Sequence, residues 1–469
     1  MRWKWRRSVV AVPMPEAAAM LSTLSSVFSS SSWARRMRCV SSHWSGVVPV
    51  AARNWRPRWR ELRFARRARS STVSGWSSRS RIHGWPVRQY PCPEVYGSCR
   101  SGHWASTSGR TRMVVVDHNG DAGAGMGSGQ TVVVFGAYGH TGRFMVAELV
   151  ERGFVPVLVG RDADKLRTFA QAHPGLEARQ ASADDAASLD RALAGAAAVI
   201  NAAGPFHATG GPVIEAALRA GIPYLDVAAE IEANLDTFAH FADRAREAGT
   251  VVLPAMAFYG GLGDLLATAA MGDWTTADEV RIAYGLSSWH PTTGTLASGA
   301  VSSERRGGRR LRYTAGRLQQ HDDALPTLQW SFPAPLGPQP VIGEFTMADV
   351  VTVPSHLAVP EVRTYMSAVA AADLAAPGAA APTPVDERGR SAQTFVVDVR
   401  VRNADAERRA VASGQDIYAV SAPLAVEALT RILTGRTRLS SGVASAGALF
   451  DAPDFLRALA AHVKVELPT

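Results

Sequence analysis

One stretch constrains this chain more than any other: residues 131–150, TVVVFGAYGHTGRFMVAELV. Val132, Val133, Val134 and Phe135 make a short apolar, mostly β-branched run, the pattern of a strand buried on both faces. Gly136, Gly139 and Gly142 follow at spacing three, and Phe144, Met145, Ala147, Leu149 and Val150 continue at helical spacing. A strand, a glycine-rich turn and a helix in succession are the parts of a dinucleotide-binding βαβ unit. Glycines let the backbone turn tightly and approach a pyrophosphate. The helix N-terminus adds unpaired N–H groups and a partial positive charge. A glycine triplet alone is weak; here the strand before it and the helix after it supply the context the motif needs. The competing reading is a tight βα turn that holds no ligand.

The chain's formal charge of +9 hides a division. Residues 1–112 hold 21 Lys+Arg against 3 Asp+Glu, which leaves 29 against 38 of the chain's 50 and 41 for the remainder. Nine of the 12 Trp and all three Cys (Cys39, Cys92, Cys99) also fall in that first part. The basic excess therefore says nothing about the rest, which is mildly acidic. Without cysteine, residues 113–469 have no disulfide framework, thiolate zinc site or cysteine nucleophile. Lys4, Lys165 and Lys464 are the only lysines, which argues against a catalytic lysine. Residues 1–125 read as a basic Arg/Ser/Trp-rich extension, disordered or non-native. The favoured account is upstream DNA translated from an early start, with Met113 or Met126 as the true start. A transit-like segment and a basic arm for nucleic acid or anionic lipid compete with it. No nucleic-acid role is expected of the folded body.

Strand and helix then alternate. Strands are expected at 154–159, 176–181, 197–203, 223–227 and 250–255, and helices at 182–193, 211–220 and 235–248. That alternation predicts an α/β fold, a doubly wound parallel sheet over residues 126–258. The second strand ends in Gly160-Arg161-Asp162, where an acidic residue would suit a ribose diol and an arginine a 2′-phosphate. Arg161, with Lys165 one turn into the next helix, therefore points to NADP(H) over NAD(H). Asn201, Ala202, Ala203, Gly204, Pro205 and Phe206 fall at the carboxyl end of the fourth strand, where open α/β sheets bind ligands. Residues 259–420 read as an α+β domain for substrate and oligomer contacts. It has a helix at 260–271, strands at 279–286, 309–313, 340–345, 349–353 and 394–401, and helices at 294–303 and 359–372. Residues 377–384 read as an exposed loop. Residues 421–469 read as helices that pack back on the nucleotide domain. No run reaches about 18 apolar residues, so no transmembrane helix is expected; the expected location is cytoplasmic, with peripheral membrane association left open.

GAYGHTGR, VLVGRDADKL, VINAAGPF, PVIEAALRAGIPYLDVAAE and LPAMAFYGGLGDLLA together resemble the saccharopine dehydrogenase-like NADP-binding family, in particular its trans-acting enoyl reductase-like members. The resemblance runs over about residues 130–469 and is densest over 132–265. It implies a Rossmann domain, a nicotinamide cofactor and a second α+β domain with substrate and homodimer contacts. It places the cofactor on Gly136, Gly139, Thr141, Gly142, Arg143, Arg161, Asn201, Ala202, Gly204 and Pro205. Ala137, Tyr138, His140, Gly160, Lys165, Ala203 and Phe206 complete the expected cofactor site. The family's lysine-forming members are described as using a Lys–His pair, and no lysine stands in a comparable place here, which argues against saccharopine as substrate.

Hydride transfer needs a group to give or take a proton. No Tyr is followed four residues on by Lys. His207, Tyr224, Asp226, Glu230, Tyr259 and Asp264 fall near the expected cofactor end, and Tyr259 and His207 are the catalytic candidates. The competing readings are a solvated loop histidine, capping acids and a core-edge tyrosine. No metal is expected. The function these features predict is an NADP-dependent oxidoreductase acting on a C=C, C=N or C=O bond of a small-molecule, acyl or lipid-type substrate. The alternatives are an NADP-sensing protein without turnover and an amine-linking synthase on the same fold.

Overall fold

The computed structural model describes residues 129–468. The readings of residues 1–125 lie outside the described residues.

The chain opens with β1 (Thr131–Phe135), α1 (His140–Glu151), β2 (Val155–Gly160), α2 (Ala163–Gln171), β3 (Ala178–Gln180) and α3 (Ala186–Leu193). It continues with β4 (Ala198–Asn201), α4 (Phe206–Ala220), β5 (Tyr224–Asp226), α5 (Ile231–Glu247) and β6 (Val251–Leu253). Their sheet is wholly parallel in the order β6-β5-β4-β1-β2-β3. This is the doubly wound arrangement, and its strand order reverses between β1 and β4, where such sheets leave a crevice for ligands. A seventh strand, β15 (Gly442–Val443), pairs in parallel with β6 from near the end of the chain.

The continuous apolar runs have a direct cause. Val132, Val134, Leu158, Ile200, Leu225 and Leu253 join one core cluster, while Val133, Phe135, Val157, Val159, Val199 and Val252 join another on the opposite face. Successive side chains of a strand point to opposite faces, so a sheet covered on both sides needs apolar residues at every position. Met145, Val146 and Leu149 of α1 close the first face. Val213, Ile214, Phe241 and Ala245 of α4 and α5 close the second. Burying one such aliphatic side chain contributes roughly 1.5–3 kcal/mol.

Beyond β6 come α6 (Gly263–Met271), β7 (Glu279–Leu286), α7 (Thr293–Arg305), β8 (Arg310–Thr314), β9 (Arg317–His321), β10 (Thr327–Ser331) and β11 (Pro338–Gly343). Then follow α8 (Asp349–Thr352), β12 (Val362–Ser367), α9 (Ala368–Ala375), β13 (Thr394–Asn403), β14 (Ala406–Gln415) and α10 (Ser421–Leu433). After β15 the chain ends in two short helices and β16 (Val463–Glu466). Nine strands form a second, mixed sheet around the path β10-β11-β12-β7-β13-β14-β16. Its inner residues Val280, Ile282, Val397 and Val399 belong to the same core cluster as the first face of the parallel sheet. The two sheets therefore share one interior. α10 is buried along residues 421–431 and is tied to α1 by an ion pair from Arg152 to Glu427 at 2.7 Å.

Several expected elements are corrected. Residues 421–469 are not helices alone: β15 extends the parallel sheet beside β6 and β16 pairs with β14 in the second sheet, because each adds to an open strand edge. Residues 349–353 form a short helix, α8, with one further tight turn, and not a strand. A short apolar run does not distinguish a buried strand from a buried helix turn. Residues 359–372 are not one helix: β12 pairs in parallel with β7 from Val362, and α9 starts only at Ala368. Here sheet pairing overrides local preference. The helix expected from Gly260 begins at Gly263, after a turn in which Gly260 takes φ 90°. A Cβ there would stand 2.8 Å from those of Ala255 and Ala348, so the turn requires glycine. Among the described residues, no helix is long and apolar enough to cross a membrane.

Candidate active site at the carboxyl edge of the parallel sheet

The turn between β1 and α1 is built for close approach. Gly136 has φ 89°, and a Cβ on it would stand 2.9 Å from the Ala203 Cβ, so β1's turn presses on the loop after β4. A Cβ on Gly142 would fall 2.1 Å from the Gly136 carbonyl oxygen. The Gly139 N–H donates to that oxygen at 2.9 Å. No side chain caps α1, so the first-turn N–H groups of His140, Thr141 and Gly142 lack a capping acceptor. Ala137 is buried beneath them, and Arg143 stays exposed, its Nε donating to the Tyr138 carbonyl at 3.3 Å.

Tyr138 leans over the end of β2. A Cβ on Gly160 would lie 2.2 Å from its ring, and its Oη accepts from the Asp162 N–H at 3.1 Å. Gly160 is thus small to seat Tyr138. Asp162 caps α2, accepting from the N–H groups of Asp164 (3.1 Å) and Lys165 (3.0 Å). Arg161, just past the strand's end, and Lys165, in the first turn of α2, are both exposed, with Lys165 Nζ 3.5 Å from Asp162.

The loop after β4 is held from behind by buried polar groups. Asn201 is fully buried; its Nδ2 donates to Thr209 Oγ1 (3.2 Å) and Tyr224 Oη (3.1 Å), and its Oδ1 accepts from the Ala203 N–H (3.0 Å). Thr209 donates to the Ala203 carbonyl at 2.6 Å. Tyr224 donates to Asp226 at 2.9 Å, and Asp226 accepts from the N–H groups of Ala228 and Ala255. Burial pushes the Asp226 carboxyl up to about 6 and raises the Tyr224 phenol as well. Glu230 accepts from the N–H groups of Phe206 (2.7 Å) and His207 (2.9 Å), closing the start of α4. Gly204 and Pro205 are joined by a cis peptide, and Ala202, Ala203 and Pro205 stay half-buried.

The structure therefore sets residues 136–143 beside residues 202–206. It turns the Asn201 side chain inward and leaves Arg161 and Lys165 at the β2 end. The catalytic candidates are separated. His207 is exposed on the first turn of α4. Tyr259 packs against Phe258, Tyr284 and Trp289, and its hydroxyl is buried without a hydrogen-bond partner. Burial raises its pKa. Asp264 is buried between His356 Nε2 (2.7 Å) and the Gly447 N–H (2.7 Å), a structural setting. No group of side chains suited to a metal ion occurs among the described residues. An open cavity of about 400 Å³ lined by Glu148, Arg152, Glu427 and His462 lies at the far end of α1, where these charges pair with one another.

The second sheet's connections supply residues that sequence reasoning missed. α7 lies over the loop after β4: a Cβ on Gly204 would stand 2.8 Å from Ser298 Oγ. Its far end is fastened to α5, with Arg306 on Glu232 at 3.0 Å, Arg305 on Asp236 at 2.8 Å and the Ser302 hydroxyl on Glu232. Tyr418 reaches the glycine loop, its ring edge-on to His140 at 5.1 Å. His140 Nε2 is buried with no partner, and burial lowers its pKa, with Arg143 adding to that and Asp416 opposing it. No local signal marks Tyr418 or Ser298, because only the folded second sheet carries them here.

An uncapped helix N-terminus after the first strand of a six-strand doubly wound order is the arrangement in which dinucleotide-binding domains hold a pyrophosphate. Comparison with known proteins agrees. Residues 132–253 match the family model described as the saccharopine dehydrogenase NADP binding domain, so this part of the chain carries the signature of an NAD(P)-binding domain. A probable mitochondrial saccharopine dehydrogenase-like oxidoreductase of Arabidopsis thaliana is 30% identical over 142 residues, 27% of this chain and 31% of the relative. The match thus spans about a third of that protein. The saccharopine dehydrogenase (L-Glu forming) of Saccharomyces cerevisiae, solved in its apo form, superposes with a TM-score of 0.50 at 11% identity. That match covers 73% of this chain and all of the yeast chain, and it shows a shared fold across both sheets.

Proposed function

We propose that this protein is an NADP(H)-dependent oxidoreductase that delivers a hydride to a C=C (enoyl), C=N or C=O bond of a small or acyl-type substrate. One observation carries the reading: the uncapped start of α1, cradled by Gly136 and Gly142, abuts a rigid second loop at 202–206. The N–H groups of residues 140–142 would hold the pyrophosphate, and Arg161 and Lys165 the 2′-phosphate. Residues 202–206 would wall the nicotinamide, which supplies the hydride when bound. The substrate would enter from the side of α7 and the aromatic group around Trp289 and Tyr259. A match restricted to the nucleotide domain supports cofactor and reaction class; the enoyl assignment rests on family resemblance.

A second reading, NADP sensing without turnover, is favoured by the setting of the two catalytic candidates: Tyr259's hydroxyl is buried and His207 is solvated. The full chain titrated with NADP(H) and NAD(H) tests the cofactor assignment, since a ligand selective for the native state raises the melting temperature. Stabilisation selective for the 2′-phosphate is expected. A folded protein that none of the four nucleotides stabilises would sink both readings. NADPH oxidation in the presence of enoyl thioesters, imines or ketones separates reductase from sensor.

A further inference from the structure

We propose that Tyr418 is the residue that exchanges a proton with the reacting substrate; this rests on the oxidoreductase reading above. The hydroxyl of Tyr418 is surrounded in an unusual way. Trp289 Nε1–H donates to it at 3.1 Å and the Thr292 N–H at 3.2 Å. Both are groups that only donate, and together they fill the acceptor capacity of a phenol oxygen. Its own proton must then point elsewhere. Thr295 Oγ1 lies 2.9 Å away, whereas the His290 carbonyl at 3.4 Å is long for an O–H donor. Thr295 Oγ1 is in turn 2.9 Å from Thr292 Oγ1, and Thr293 and Gly294 beside them are exposed. Burial raises the Tyr418 pKa, and the two fixed N–H dipoles aimed at its oxygen oppose that by stabilising it when it carries negative charge. A hydroxyl pair leading toward solvent supplies the proton that resets it.

Placement is the second argument. The Tyr418 ring meets His140 of the glycine loop, and Thr295 lies one turn before Ser298, which covers Gly204. The phenol thus stands at the junction of the two loops assigned to the cofactor. Tyr259, its buried neighbour, has no hydrogen-bond partner and no such relay. In the reaction, hydride adds to one end of the substrate's double bond and the electron pair gathers at the other. For that atom to be protonated, the Tyr418 O–H turns from Thr295 to the substrate; the O–H bond breaks as the new bond to hydrogen forms, and the tyrosinate left behind accepts from Trp289 Nε1–H, the Thr292 N–H and the Thr295 hydroxyl. A solvent proton passed through the two threonines restores the phenol. Substrate, NADPH and one proton give reduced substrate and NADP+.

The test places 3-fluorotyrosine at position 418 of the full chain and follows its ionisation by 19F NMR in the NADPH and NADP+ complexes. The titratable groups facing the ring are His140 on α1, Tyr259 in the β6–α6 turn and Asp416 two residues before it. These are common to both complexes, so a difference reports the nicotinamide charge. The midpoint is expected to be lower with NADP+ by about 1 pH unit or more. Equal midpoints, with both nucleotides stabilising the protein, overturn the proposal and leave the cofactor assignment intact. Stabilisation by neither nucleotide removes both. In the kinetic arm, with crotonyl-CoA as acceptor, Tyr418→Phe is expected to bind NADPH normally and to oxidise it roughly 100-fold or more slowly. An unchanged rate overturns the proposal.

Discussion

At the carboxyl edge of one parallel sheet, two helices begin on neighbouring strands and are finished in opposite ways. α1 starts without a side-chain cap, its first-turn N–H groups facing outward between Gly136 and Gly142. α4 starts against the Glu230 carboxylate, which takes the N–H groups of Phe206 and His207. Both ends carry the same partial positive charge. The difference is whether the chain supplies the anion itself. Where it does, the helix start becomes a rigid joint; where it does not, the start is a site for a phosphate brought by a ligand.

The comparison breaks most severely at Gly142. Gly142→Ala would set a Cβ 2.1 Å from the Gly136 oxygen and push α1 off β1. We expect nucleotide stabilisation to vanish and stability to fall by on the order of 3 kcal/mol, read by thermal shift and denaturant titration; retained NADP(H) stabilisation would refute the open-end assignment. The closed side is probed next through Asp226. Its folded-state pKa of about 6 exceeds that of an unfolded aspartate, so between those values the native state keeps a proton that the unfolded chain releases. This contribution to stability is present in acid and is lost as pH rises toward 6, by on the order of 3 kcal/mol. Asp226→Asn should flatten that slope in denaturation measured from pH 4 to 7, and an unaltered slope would show that Asp226 does not set it.

Glu230→Ala removes the anion from α4 and should cost about 1–2 kcal/mol. It should also make the protein newly responsive to inorganic phosphate, which the intact joint resists; a variant with no such response would mean that the cap is not what distinguishes the two ends. The smallest effect is expected at the exposed Arg161. Arg161→Ala should leave stability within about 0.5 kcal/mol and lower the preference for NADP+ over NAD+ by roughly tenfold, read from the two dissociation constants. An unchanged preference would move the 2′-phosphate contact to Lys165 or elsewhere.

The same contrast governs what could be read from the sequence. The open end was legible because its cause is local: Val132–Phe135, three glycines and an apolar helix face lie within 20 residues. The parallel sheet was legible for the same reason, since burial on both faces leaves unbroken apolar runs. β14 was missed because its sequence, AERRAVASGQ, is half polar, and it is a strand through its ten-residue pairing with β13. Residues 349–353 misled because Asp-Val-Val-Thr-Val suits a strand in composition, yet Tyr284 holds Asp349 at 2.7 Å and the segment coils. The joint at Glu230 and the phenol at Tyr418 depend on contacts 23 or more positions apart, and no spacing rule reports those.

β15 adds a consequence of another kind. The sheet that begins at Thr131 is completed by Gly442 and Val443, while β16 pairs with β14 in the second sheet. During synthesis, the nucleotide domain therefore emerges without its last edge, and that edge stays bare until residues 442–443 have left the ribosome. A fragment ending near residue 258 would expose β6 and lose α10 from the face of α1. The last thirty residues work as a suture through both sheets, so a single proteolytic nick between α10 and β15 should weaken nucleotide binding from a position remote from the glycine loop.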